Sequence, residues 1–231
     1  MSPRRDRVCA SAERLLETVV DCRLCPRLVS YRERVEPRAS FSNQKYWRKP
    51  VPGFGDLNGR LLVIGLAPAT NGGMRTGRIF TGDASSAFLV AALHRAGFAN
   101  QPGSDSVDDG LIYRDCYLTA AVKCAPPGDK PTPEEFANCA PYLDEEISLM
   151  RNLQSVLALG VFAFKAYLGH LNRRGVIVRG LKFTHGRVYA FPGMATLYAS
   201  YHPSPRNTNT GTLNATMLAK VLATVRDGFV T

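Results

Sequence analysis

Four cysteines constrain this chain more than any other feature. Cys22 and Cys25 share one tight turn, Cys-Arg-Leu-Cys, while Cys124 and Cys139 stand far along the chain on either side of a Pro-rich turn. Two thiolates from each place can meet at one point, as a tetrahedral metal ion or an iron–sulfur cluster requires. A fold that uses them must lay its N-terminal turn against its middle. The spacing alone suits structural Zn²⁺ and a cluster equally. Cys9 and Cys116 belong to no motif and read as small buried hydrophobes.

Apolar runs set the fold class. RLLVIGLA (60–67), CYLTAAV (116–122) and SVLALG (155–160) are continuous rather than alternating, which marks strands buried on both faces of a parallel sheet. Between them lie helical stretches at 84–97, with Asp83 as N-cap and Gly97 as stop, at 132–150, opened by Thr132-Pro133-Glu134-Glu135, and from Val161 on. Residues 11–21 read as a short amphipathic helix and 26–59 as irregular. RVYAF (187–191) and TLYASY (196–201) read as a hairpin, and Thr212–Arg226 as the last helix. The expected architecture is one domain over residues 1–231, an α/β/α sandwich around a central, mostly parallel sheet. No repeat, low-complexity tract or linker divides it.

Composition limits the function classes. The start, MSPRRDRVCASAERLLETVV, is charged and helical rather than a secretory leader, and no apolar run approaches the roughly 20 residues that span a bilayer. With so few cysteines, a reducing cytoplasm is expected, where clustered thiols bind metal. The 29 basic residues against 19 acidic give +10, which favours a polyanionic partner such as nucleic acid. Nothing demands more than a monomer.

In parallel sheets ligands bind at the C-terminal ends of strands, and two loops there are unusual. The first runs from Gly65 through Ala67, Asn71, Gly72 and Gly73, then Arg75-Thr-Gly-Arg78-Ile-Phe80-Thr-Gly-Asp83. Its small residues admit a ligand close to the backbone, and Phe80 can stack on a planar ring or anchor the loop in the core. The second is Tyr201-His202-Pro203-Ser204-Pro205-Arg206-Asn207, where His202 ends an apolar strand. A histidine there can donate a hydrogen bond to a leaving group, or serve structure alone.

Taken in order, GLAPA after the first strand, Val122-Lys123-Cys124-Ala-Pro-Pro, His202-Pro203-Ser204 and the four cysteines resemble the iron–sulfur branch of the uracil-DNA glycosylase superfamily. The continuation RTGRIFTGDASS looks most like family 5, the type-B enzymes of bacteria and archaea. The resemblance spans Cys22 to Gly211. It implies a [4Fe–4S] cluster on Cys22, Cys25, Cys124 and Cys139, DNA as partner, and hydrolysis of the N-glycosidic bond of uracil and other deaminated bases. It assigns the pocket floor to Gly65, Ala67 and Asn71, stacking to Phe80, and leaving-group stabilisation to His202. Ser204, Arg206 and Asn207 would enter the DNA, with Arg75, Arg78, Lys123 and Lys130 as phosphate contacts.

Departures accompany the likeness. Ala67 stands where other superfamily members carry a water-orienting carboxylate, which leaves Asn71 as the best side chain for that task and Asp83 as a helix cap. Ala120 stands where many relatives read the base with Asn, so a permissive pocket is expected. A non-catalytic cluster-bearing DNA-binding module and a redox protein are the competing readings.

Overall fold

The computed structural model describes residues 12–230. Cys9 and the expected helicity of the first eleven residues lie outside them. In chain order the helices and strands are α1 (Ala12–Val20), α2 (Pro26–Arg34), β1 (Phe54–Gly55), β2 (Leu61–Gly65), α3 (Gly73–Thr76), α4 (Ala84–Arg95) and β3 (Cys116–Ala120). There follow α5 (Pro133–Leu149), β4 (Ser155–Leu159), α6 (Val161–Arg173), β5 (Val188–Tyr189), β6 (Thr196–Ser200), α7 (Pro205–Asn209) and α8 (Ala215–Asp227).

The six strands form one sheet in the order β1-β3-β2-β4-β6-β5. The four central strands are parallel and the two-residue edges antiparallel. Every residue of β2, β3 and β4 is buried, as the continuous apolar runs require. Alternate side chains feed two cores. Leu61, Val63, Leu118 and Leu157 pack under α4 and α8, while Leu62, Ile64, Val156 and Ala158 pack under α6. This is the expected α/β sandwich.

Local chemistry fixes the helix starts. Asp83 accepts from Ser86 N at 2.8 Å while Ser86 Oγ receives Asp83 N at 3.0 Å, a reciprocal cap. Thr132 and Glu135 repeat the device at α5. Several elements depart from the sequence expectation, β1 and α3 among them, since both fall in stretches read as loop. Residues 26–34 are helical, with Pro26 in the first turn after Cys25. The loop after His202 contains the short helix α7, and α8 begins only at Ala215, capped by Asn214.

The chain runs from β2 to β3 on one side of the sheet and returns to β4 on the other side of β2. That reversal opens a crevice at the C-terminal ends of β2 and β4.

Candidate active site and sulfur-lined cavity

An open cleft of about 1890 Å³ occupies that crevice. One wall is the loop Leu66–Gly72 after β2. Opposite stand Gly160 and Phe162 after β4, with Tyr201, His202 and Ser204 after β6.

His202 is half-buried, and burial lowers its pKa to about 4, so the ring is neutral at physiological pH. No protein group among the described residues hydrogen-bonds its ring nitrogens; only its backbone carbonyl is held, by Asn207 Nδ2 at 2.8 Å. Phe80 lies 6.4 Å away, centroid to centroid, tilted by 31°. Phe80 has φ +49°, a left-handed conformation unusual for an aromatic residue. Its ring rests on Gly65, where an added methyl group would stand 2.6 Å from it. Gly65 is thus required by close packing.

Asp83 lines the same cleft. One carboxylate oxygen caps α4, while the other lies over Gly72, so closely that a side chain at 72 would collide with it. Burial raises the Asp83 pKa, opposed by its hydrogen bonds and by Arg75. Asn71 is held by the Tyr46 hydroxyl, which donates to Oδ1 at 2.7 Å.

The four motif cysteines line a second, enclosed cavity together with Leu28, Arg32, Lys123 and Asn138. N–H groups are aimed at the sulfurs: Arg32 Nη1 donates to Cys124 Sγ at 3.2 Å, Asn138 Nδ2 to Cys25 Sγ at 3.4 Å, and Lys123 N to Cys139 Sγ at 3.5 Å. Arg32 is 3% exposed and pairs with no carboxylate among the described residues. Burial pushes Cys124 up to about 11, against the opposing pull of Arg32, and Cys139 up to about 12. Among the described residues, no three acidic, thiol or imidazole groups gather where one ion could be held. The four cysteines share the lining of one small cavity.

The uracil DNA glycosylase superfamily model matches residues 52–226. A type-5 uracil-DNA glycosylase of Pyrobaculum aerophilum is 50% identical over 88% of this chain and 87% of its own length. One from Thermus thermophilus is 48% identical over 91% of this chain and 94% of its own. A type-4 uracil-DNA glycosylase, also of P. aerophilum, is 27% identical over 83% of this chain. The chain belongs to the uracil DNA glycosylase superfamily.

Within that family frame, the structure brings Ala67, Asn71, His202, Ser204, Arg206 and Asn207 to the cleft, with Lys130 beside them. It places other expected residues elsewhere. Arg78 is 5% exposed and pairs with Asp109 at 2.7 Å, so it is no phosphate contact. Lys123 is 1% exposed and holds Glu146 at 2.7 Å and Thr119 at 2.5 Å beneath the cysteines. Arg75 donates to Asn71 O, Gly82 O and Gln44 Oε1, clasping the two ends of its own loop. Asn207 braces the histidine loop. Ala120, the register partner of Gly65, is 1% exposed and belongs to the same apolar cluster as Phe80, so it does not line the cleft. Cys116 is a buried core residue, as expected.

The cleft also contains residues that sequence reasoning missed. Tyr31 of α2 lines it and shares a hydrogen bond of 3.1 Å with Thr70 Oγ1. Phe162, Phe183, Tyr201 and Asp129 line it as well. For Asp129, whose φ is +56°, the Gly-Asp pair after two prolines was an available turn signal.

Lys123→Met leaves Glu146 buried without its cation. Chemical denaturation should show a destabilisation of about 3–5 kcal/mol, with no change in the salt dependence of DNA binding. Unchanged stability with a weaker salt dependence would restore Lys123 as a phosphate contact.

Proposed function

We propose that this protein is a monofunctional DNA glycosylase that hydrolyses the N-glycosidic bond of deoxyuridine in DNA and leaves an intact abasic site. The observation that carries this reading is His202: neutral, its ring nitrogens unclaimed among the described residues, in one open cleft with the small-residue loop. A base turned out of the duplex, at a cost of a few kcal/mol, lodges between Leu66–Gly72 and Tyr201–Ser204, while Phe80, expected to stack on it, is packed in the core beneath.

Water attacks C1′ as the C1′–N bond breaks, and the bonding pair leaves with the base. The neutral imidazole donates a hydrogen bond to the base carbonyl on which negative charge collects. We assign the attacking water to Asp83, whose outer oxygen lies over Gly72. Its raised pKa makes it a better acceptor of the water's proton. Asn71 then serves as a brace through Tyr46. No lysine lies in either wall segment, so no Schiff base is assigned. With no amide at position 120, the pocket lacks that reader of the base edge, and uracil, hypoxanthine and xanthine are all accepted.

We further assign a [4Fe–4S] cluster to the sulfur-lined cavity, held by Cys22, Cys25, Cys124 and Cys139. The donor set supports it: four thiols lining one cavity, N–H groups directed at sulfur, and a buried cation with no carboxylate partner among the described residues. Through these four cysteines such a cluster would tie the turn joining α1 to α2, the loop after β3, and α5. Hydrolysis needs no electron from it.

Measurements on the wild type and on variants at the cleft and the cysteines test this reading. Duplexes carrying uracil, hypoxanthine or xanthine should be cut at the lesion after alkali treatment. His202→Ala should slow excision roughly 10²–10³-fold, and the wild-type pH–rate profile should show no inflection at the ordinary imidazole pKa, falling on the acid side as Asp83, raised above the usual carboxylate value, takes up its proton. A rate that inflects near 6.5, or a His202→Ala variant of full activity, refutes the assignment. Asp83→Asn keeps a good cap and should retain the melting temperature while excision slows at least about tenfold; unchanged excision makes Asp83 a cap alone. Purified protein should carry about four iron atoms per chain and lose them in Cys139→Ser, whereas bound zinc would replace the cluster by a structural ion.

A further inference from the structure

The chain's positive charge is not spread evenly. From Ile147 to Arg226 there are ten Lys and Arg and not one Asp or Glu. Elsewhere the basic residues are often neutralised, as in Arg23–Glu33, Arg27–Glu135, Arg60–Asp115, Arg78–Asp109 and Lys123–Glu146. Of these ten only Arg173 makes an ion pair among the described residues, to Asp144 from outside the stretch, which His170 also contacts.

Four of these cations stand on one segment, the irregular connection from α6 to β5. Arg174, Arg179, Lys182 and Arg187 are all exposed. None forms an ion pair or a side-chain hydrogen bond among the described residues; Arg187 only lies over the Tyr189 ring, 5.4 Å from its centroid. An irregular segment bearing four unpaired cations has no evident folding role for them.

The segment is fastened to the cleft. Phe183, next to Lys182, lines it. His185 stacks on Tyr201 with ring centroids 4.8 Å apart and planes 5° from parallel, and its Nδ1 accepts from Tyr201 N at 3.1 Å. Gly186 N donates to Ala199 O, and Ala199 N donates to Arg187 O. The charged arm is thereby secured to the strand end that delivers His202.

We propose that this arm, through Arg174, Arg179, Lys182 and Arg187, is a sequence-independent grip on duplex DNA phosphates, separate from the base pocket. The proposal rests on the glycosylase reading for its orientation toward the cleft, but it concerns affinity for any duplex rather than bond cleavage. Guanidinium and ammonium groups free of carboxylates need no rearrangement to meet phosphate, and each such pairing releases condensed counterions.

The test is binding of an undamaged, fluorescently labelled duplex across a range of salt concentrations. In the full-length Arg174→Gln/Arg179→Gln/Lys182→Gln/Arg187→Gln variant, the slope of log affinity against log salt should become shallower by about 0.9 for each phosphate no longer neutralised. Single-turnover excision of uracil at saturating enzyme should stay within about twofold of wild type, because none of the four belongs to the pocket. Arg114→Gln/Arg151→Gln, which removes two exposed cations flanking the N-terminal ends of β3 and β4, should leave the slope unchanged. If the fourfold variant melts early, Arg174→Gln/Arg179→Gln is scored by the same slope. An unchanged slope in the arm variants, or an equal change per charge in the control, overturns the grip. A wild-type protein that excises no uracil refutes the active-site reading instead, and the binding slopes still decide the arm.

Discussion

Parallel pairing of β2, β4 and β6 is the constraint on which the site depends. Because these strands run the same way, the loops that follow them emerge at one edge of the sheet. The Leu66–Gly72 loop, Gly160 and His202 therefore face one another without any dedicated tether between them. The register Leu62–Val156 and Val156–Leu197 fixes their relative height. A one-residue slip in either pairing would exchange core and counter-core faces and separate the histidine from the small-residue loop.

A second layer of organisation comes from charge taken out of water. Lys123 and Glu146 meet between β3 and α5, and Arg27 grips Glu135 through two hydrogen bonds of 2.8 and 2.7 Å, joining α2 to the start of α5. Arg32 has sulfur where such a residue ordinarily has carboxylate. Its buried guanidinium calls for negative charge in the cysteine cavity, and Tyr31 next to it in α2 reaches Thr70 of the cleft loop. The helix thus carries a cysteine contact and a cleft contact on adjacent residues.

Much of this was legible in the sequence, and the failures have physical causes. The strands were visible because burial on both faces leaves unbroken apolar runs. Helices α4 and α5 announced themselves through Asp83 and Thr132, whose side chains must satisfy free backbone N–H groups. Helix α2 was hidden because its buried face, Leu28, Val29 and Arg32, includes a charged residue where a stripe of hydrophobes would otherwise show. The DNA-contact expectations at Arg75, Arg78 and Lys123 failed for one shared reason: a basic residue in a glycine-rich or cysteine-bearing loop can just as well hold that loop together from inside. Sequence shows the charge but not its partner. Asp83 was read as a cap, which it is; only the fold reveals that its other oxygen looks into the cleft.

The flat stack of His185 on Tyr201 has a mechanical consequence. Tyr201 immediately precedes His202, so the cationic arm and the imidazole share one rigid joint. Any load borne by that arm reaches the strand end beside the imidazole through two stacked rings and a backbone hydrogen bond, not through slack chain.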